Sequence, residues 1–500
     1  MISAIPDALS LLLTTEALLT LVFGTVLGII LGAMPGIGST VAVAMVLPFT
    51  LSMGQAPAIL LLLAVYAGSV YGGSISAILI NTPGTPQSAA TCFDGYPMAQ
   101  RGEAGKALGW ATVASVVGGL VSAVVLLLAA PQLAAFALNF GPIETFALVL
   151  LGMTCIVSVS SGSLVKGLLA GTIGIFLASV GGDPVTGQPR FTFGNWQLIS
   201  GFNLLAVVIG IFALSEVFIR ASKKAEEVSE LADFRGIVLP RLSEWSGRKK
   251  NLAKSVLIGN VIGVLPGTGA ATAAFISYAE GKRSSPNKDA YGTGEPDGIV
   301  SSEAANNAVT GGALVPTMAL GIPGDAITAV MLATLTLHGI TPGFRLMEDN
   351  PTLIAAIFAG FFLINILLLP LGMMLGRVAA PILRMREGFM MTGVVLLCGV
   401  GIYFVRGNPF DLMVMGFAGV LGFVLRRQGV PMAPLVIGMV LGPTLELTLR
   451  QGLILTRGDI TAFATDHPIA GTLFVITALA LAFPIVRGFL ARRSTTEDPR

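Results

Sequence analysis

Long apolar runs separated by short polar breaks fill nearly the whole chain. A helix that crosses a bilayer needs about 20 mostly apolar residues. Runs of that kind lie at 17–34, 56–71, 108–129, 143–160, 163–181, 201–219, 352–374, 387–404, 409–425, 430–448 and 469–487. Shorter or interrupted runs lie at 40–52, 72–92, 253–265, 267–279 and 308–337. In hydrocarbon the backbone must satisfy itself, which leaves only helices and closed barrels. The runs lack the alternation of a barrel strand. The pattern therefore predicts an all-α, polytopic integral membrane protein.

One stretch reads as soluble. Residues 220–254 carry Arg220, Lys223, Lys224, Arg235, Arg241, Arg248, Lys249, Lys250 and Lys254, interleaved with acids. This segment is expected to be a polar linker between membrane halves 1–219 and 255–487, with 488–500 as a tail. A second charged stretch, 280–298, includes Lys282, Arg283 and Lys288.

The halves repeat. Gly28-Ile-Ile-Leu-Gly32-Ala-Met-Pro35-Gly36-Ile-Gly38 matches Gly259-Asn-Val-Ile-Gly263-Val-Leu-Pro266-Gly267-Thr-Gly269, 231 residues later. Gly72-Gly73 followed by Asn81-Thr82-Pro83-Gly84 matches Gly311-Gly312 followed by Gly321-Ile322-Pro323-Gly324, 240 residues later. Two motifs in the same order, each in an apolar context, signal an internal repeat.

Basic residues favour the cytoplasmic side of short loops. Placing 220–254 and the tail (Arg487, Arg492, Arg493) inside puts Arg101 and Lys106 inside and Asp7 and Glu16 outside. The same counting puts Arg345, Glu348 and Asp349 outside, and requires Arg406, Arg450 and Arg457 to be accommodated there. The equivalent loops 94–107 and 339–351 then face opposite ways. The repeats are expected to be inverted, as in many secondary transporters.

Composition sharpens this. Only 11% of the 500 residues are charged and 54% are hydrophobic, with a mean hydropathy of +0.84; soluble domains carry about 25% charge. A net charge of +2 gives no reason to expect nucleic acid. The first basic residue is Arg101, so no positively charged leader is expected. His338, His467, Cys92, Cys155 and Cys398 are scattered, which excludes metal-ligand spacing and a disulfide framework. No P-loop, H-E-x-x-H or G-x-S-x-G motif is present, so no enzyme is expected.

The candidate chemistry sits at the Pro-Gly pairs. Pro35, Pro83, Pro266 and Pro323 each interrupt a helical hydrogen-bond ladder. The freed carbonyls must face protein or water. A helix restarting after such a break offers N–H groups to a carboxylate, and the freed carbonyls suit Na⁺. The alternative is a plain kink. Candidate substrate-binding residues are Pro35, Gly36, Gly38, Thr40, Asn81, Thr82, Pro83, Gly84, Thr85, Pro266, Gly267, Thr268, Asn306, Asn307, Pro323 and Gly324. For the Ser, Thr and Asn members, helix–helix glue is an equal reading. Na⁺ is expected near Gly36, Ser39 and Gly267. Glu303 and Asp325 are cation-coupling candidates; either could instead cap a helix. Gly28 and Gly32 read as close-packing residues.

These motifs, with Phe93-Asp94-Gly95-Tyr96-Pro97, Gly102, Ala107-Leu108-Gly109, Glu303-Ala-Ala-Asn306-Asn307-Ala308, Leu320-Gly-Ile-Pro323-Gly324 and His338-Gly339-Ile-Thr341-Pro342-Gly343, resemble the large membrane subunit of tripartite tricarboxylate transporters over roughly 15–450. The resemblance implies a multi-pass secondary transporter of the bacterial inner membrane. It implies a small four-span membrane subunit, and a periplasmic binding protein that delivers a di- or tricarboxylate such as citrate. It also implies Na⁺ or H⁺ as coupling ion, no other cofactor, and about twelve spans. The charge pattern instead gives an odd number of crossings, reconciled if some Pro-Gly segments are re-entrant hairpins. The alternatives are a passive anion channel or an unrelated ion-coupled transporter. An elevator-like motion is expected.

Overall fold

A computed structural model describes residues 5–159, 163–183, 185–222, 236–383 and 387–496. The first half runs through α1 (Ile5–Leu12), α2 (Thr15–Ala33), α3 (Gly38–Thr50), α4 (Gln55–Ile80), α5 (Cys92–Met98), α6 (Ala104–Ala137), α7 (Pro142–Val159) and α8 (Leu164–Ala178). A short antiparallel ladder follows, β1 (Gly181–Gly182) on β2 (Pro189–Arg190), then α9 (Leu204–Ile209) and α10 (Ser215–Ser222). The second half has α11 (Lys249–Val264), α12 (Gly269–Ser284), α13 (Pro296–Leu320), α14 (Ala326–Leu337), α15 (Leu346–Asp349) and α16 (Pro351–Leu383). It ends with α17 (Glu387–Arg406), α18 (Pro409–Arg427), α19 (Met432–Leu455), α20 (Ala462–Thr465) and α21 (Pro468–Thr496). Among the described residues, seven helices are long and apolar enough to cross a membrane, and six further apolar helices are shorter. The protein is a polytopic all-α membrane protein.

Three boundaries differ from the sequence expectation. α4 continues to Ile80 because Gly72, Gly73 and Ser74 are buried in close packing rather than breaking the helix. α13 starts at Pro296, so the polar run Ser301–Asn307 lies inside the buried stretch of a helix. Within the expected linker 220–254, α10 runs on to Ser222 and Lys249 begins α11, while 223–235 fall outside the described residues.

The chain divides into two compact units, Met1–Ala135 with Leu205–Phe423, and Phe136–Leu204 with Val424–Arg500. Each unit takes helices from both halves. All four Pro-Gly breaks lie in the first.

Within that unit the repeat is visible in the packing. On α2, Gly28 lies against Val65 of α4, and Gly72 of α4 lies against Ala33. On α11, Gly259 lies against Ala308 of α13, and Gly312 of α13 lies against Asn260 and Gly263. Val65 beside Gly28 corresponds to Ala305 beside Gly259, and Ile29 beside Gly72 to Asn260 beside Gly312, through the same two offsets. A Cβ on Gly28 would come within 2.9 Å of Val65 Cα, and one on Gly259 within 2.9 Å of Ala305 Cα. Small residues let the backbones approach this closely, which is the main source of attraction between helices in lipid.

α4 and α13 occupy the centre, buried along nearly their whole length. They run antiparallel. The segment after α4 reaches the start of α13, where Arg101 donates to the carbonyls of Thr293 (2.8 Å) and Gly294 (2.7 Å). The segment after α13 reaches the start of α4, where Gln55 donates to the His338 carbonyl at 3.0 Å. Equivalent loops thus lie at opposite ends of the central pair, the geometry of inverted repeats.

The second unit packs α7 and α8 against α19 and α21. Arg190 and Arg450 both pair with Asp183 and Glu446, tying the β1–β2 hairpin to α19. The Arg450 guanidinium and the N–H groups of Thr186 and Val185 hold the Asp183 carboxyl below its usual range. Arg450, which the charge pattern requires outside, is therefore neutralised by two acids.

Candidate functional site

The two Pro-Gly-x-Gly sequences make the same turn. Met34 and Leu265 are extended (φ −74, ψ 116 and φ −80, ψ 113), as residues before proline prefer. Gly36 and Gly267 both have φ +87, and Gly38 and Gly269 have φ +65 and +69. Only glycine adopts these values without strain. Thr268 donates to the carbonyls of Ile262 (2.6 Å) and Leu265 (2.9 Å), so its hydroxyl answers groups the break exposes.

The second pair of breaks also matches. α4 ends at Asn81 (φ 52, ψ 23) and α13 at Gly321 (φ 71, ψ 19), both left-handed. Thr85 and Ser88 form a capping box, and so do Asp325 and Thr328 at the equivalent positions. Asn81 is exposed, Thr82 and Pro83 are half-buried, and Gly84, Thr85, Pro323 and Gly324 are buried.

The breaks converge in pairs. Gly84 donates to the Gly73 carbonyl at 3.3 Å, and Pro86 lies beside Gly38. In the other half, the Gly267 N–H donates to the Gly324 carbonyl at 2.7 Å. No bond between Gly36 and Gly84 matches it among the described residues. The half-buried Thr40 sits in the first turn of α3.

Side chains then join the halves. The Tyr66 phenol on α4 donates to Asp325 at 2.8 Å, while Thr328 N–H donates to its other oxygen at 2.8 Å. Glu303 on α13 is wholly buried. It accepts from the Thr91 hydroxyl and from Ser115 at 3.1 Å, and Ser302 lies 3.1 Å from Thr91. Its partners are neutral hydroxyls. One helical turn on, Asn307 donates to the Glu303 carbonyl at 3.0 Å. Its Oδ1 is buried without a partner, as are both amide atoms of Asn306. Ser39 Oγ, Gln87 Oε1 and Asn260 Oδ1 share that state. A buried polar atom left unpaired costs about 1–3 kcal/mol, so each of these atoms is a candidate to meet a polar group.

The first turn carries a charge that the sequence reading assigned to the linker. The Arg220 guanidinium lies directly against Gly36, in the space a Cβ there would fill. Glu216, one turn earlier, holds its Nε at 3.0 Å.

The model of the tripartite tricarboxylate transporter TctA family matches residues 18–437, which include all four breaks, Tyr66, Arg220, Glu303 and Asp325. The chain belongs to that family. A 52.8 kDa protein encoded in the TAR-I ttuC′ 3′ region of Agrobacterium vitis is 36% identical over 470 residues, covering 94% of this chain and 93% of its own length. A protein from the TAR-II ttuC′ 3′ region of the same organism is 35% identical over 235 residues, 47% of this chain and 97% of its own length. Both are described as uncharacterized. No solved structure matches.

Family membership makes the protein a subunit of a tripartite transporter. In this TctA-family chain the sequence motifs found the breaks, Glu303 and the asparagines. They missed Tyr66, Thr91, Ser115, Ser302 and Arg220. A polar residue inside an apolar run is the only local signal the hydroxyls give. Arg220 gave the opposite signal, because it opens a charge run.

Proposed function

We propose that the protein is the large subunit of a secondary transporter that imports a small carboxylate, a di- or tricarboxylate such as citrate. A periplasmic binding protein delivers it, and a four-span membrane subunit completes the assembly in the bacterial inner membrane. The observation that carries this reading is the set of unpaired buried polar atoms in the unit that holds all four breaks: Ser39 Oγ and Asn306 Nδ2 are donors that suit a carboxylate, and the amide oxygens of Gln87, Asn260, Asn306 and Asn307 are acceptors that suit a cation. Neutral donors at helix starts bind carboxylate oxygens.

The driving cation, Na⁺ or H⁺, binds at Glu303. A buried carboxylate whose partners are all hydroxyls needs a cation or a proton to balance it. Asp325 is a second candidate, although both of its oxygens already accept hydrogen bonds. The motion is elevator-like, one repeat moving against a fixed scaffold. Asn307→Ala and Glu303→Gln should each lower carboxylate uptake about tenfold or more, with expression and gel-filtration profile unchanged. Normal uptake in both variants would place the site elsewhere.

A further inference from the structure

Resting on the reading of Glu303 as the coupling site, we propose that the coupling ion is H⁺, carried by Glu303 at the head of a one-way chain of hydroxyls. Glu303 Oε1 is in hydrogen-bond contact with Thr91 Oγ1. Thr91 Oγ1 lies 3.1 Å from Ser302 Oγ. Ser302 Oγ lies 3.0 and 3.1 Å from the carbonyl oxygens of Gly298 and Ile299, one turn back on α13. Thr91, Ser302 and Glu303 are each at most 1% exposed, so water does not share these contacts.

Counting protons fixes the state of the chain. Three contacts run in series, and each needs one proton. A carbonyl only accepts, so the Ser302 proton points to the backbone. Ser302 then accepts from Thr91, which has a single proton to give. The contact between Thr91 and Glu303 is left to a proton on Glu303. An ionised Glu303 would leave one of the three contacts as two oxygens with no hydrogen between them. The other carboxyl oxygen, Oε2, accepts from Ser115 at 3.1 Å, as the carbonyl oxygen of a neutral acid does.

The surroundings leave that proton without a competing charge. The titratable groups that face Glu303 are Tyr71 of α4 and Cys92 of α5, both neutral near neutral pH. The charged side chains on the other elements packed against α13 are engaged elsewhere or exposed. Asp94 of α5 is bonded to Tyr278, and Asp325 before α14 to Tyr66. At α11 and α12, Arg248 pairs with Glu295 and Asp297, and Lys254 and Arg283 with Glu280. Lys249, Lys250, Lys282, Glu348 and Asp349 are exposed. One turn beyond Glu303, Asn306 and Asn307 hold their unpaired amide atoms. An anion bound there is repelled by an ionised Glu303 and not by the neutral acid, so by linkage the proton and the anion each favour the other.

The test uses proteoliposomes holding the complete transporter, with the external pH fixed so that the ionisation of external citrate does not change. With Na⁺ absent on both sides, an alkaline interior should raise accumulation of labelled citrate at least about tenfold over equal pH, and a protonophore should abolish it. Accumulation that needs a Na⁺ gradient and ignores the pH gradient overturns the proposal and leaves the transporter reading standing. Equilibration regardless of either gradient removes both. Glu303→Gln offers the donor and acceptor of the protonated acid but cannot release a proton. It should lose accumulation driven by the pH gradient and still exchange external for internal citrate. Accumulation kept by this variant, or exchange lost from it with an unchanged gel-filtration profile, overturns the proposal. Should the variant fail to fold, the wild type decides: dicyclohexylcarbodiimide, which modifies protonated carboxyls in apolar surroundings, should label Glu303 near neutral pH, read by mass spectrometry. An unlabelled Glu303 overturns the proposal.

Discussion

Asn81 and Gly321 stand at equivalent places, and both hold a left-handed backbone at the end of a central helix. The sequence motif made Asn81 a binding candidate. Its exposure and its φ of +52 favour a simpler role, because Asn tolerates this conformation better than other side chains. Asn81→Gly should therefore leave uptake within about twofold of wild type. A large loss with the fold retained would return Asn81 to the binding site. Asp325 shows the same overlap, since its carboxylate caps α14 and also accepts from Tyr66. Proline and glycine were legible because their constraints are local. The hydroxyls around Glu303 were not, because Thr91 and Ser115 reach it across 212 and 188 residues.

Between elements, the tightest polar junction is Asp94. Buried on α5, it accepts from the N–H groups of Gly292, Gly294 and Glu295 at 2.8 Å each, and from the Tyr278 phenol at 2.8 Å. It fixes the start of α13 against the segment that follows α4. Asp94→Ala would leave three backbone donors without their acceptor and should cost at least about 3 kcal/mol. Thermal unfolding in detergent checks this; an unchanged midpoint would contradict it. Helix existence was legible from the apolar runs. The start of α13 was not, because Ser301–Asn307 reads as a polar edge until neighbouring helices cover it. The linker's charged ends were read as loop for a related reason: Arg220 lies within α10, and Lys249, Lys250 and Lys254 within α11.

At the scale of the molecule, the inverted repeat was legible from two spaced motifs and a charge count. What the sequence could not supply is how the halves differ. The second pair of breaks is joined by a hydrogen bond, while the first is covered by Arg220. The compact units also cut across the halves, because each unit draws helices from both. Buried acids and unpaired amides among the described residues suit a carboxylate that moves together with a cation. The most direct measurement is uphill uptake of labelled citrate by proteoliposomes holding the complete transporter, under imposed Na⁺ and H⁺ gradients in turn. Accumulation that requires one of these gradients and collapses with its ionophore is the predicted result. Flux that equilibrates citrate regardless of either gradient would contradict it and make the protein a passive channel.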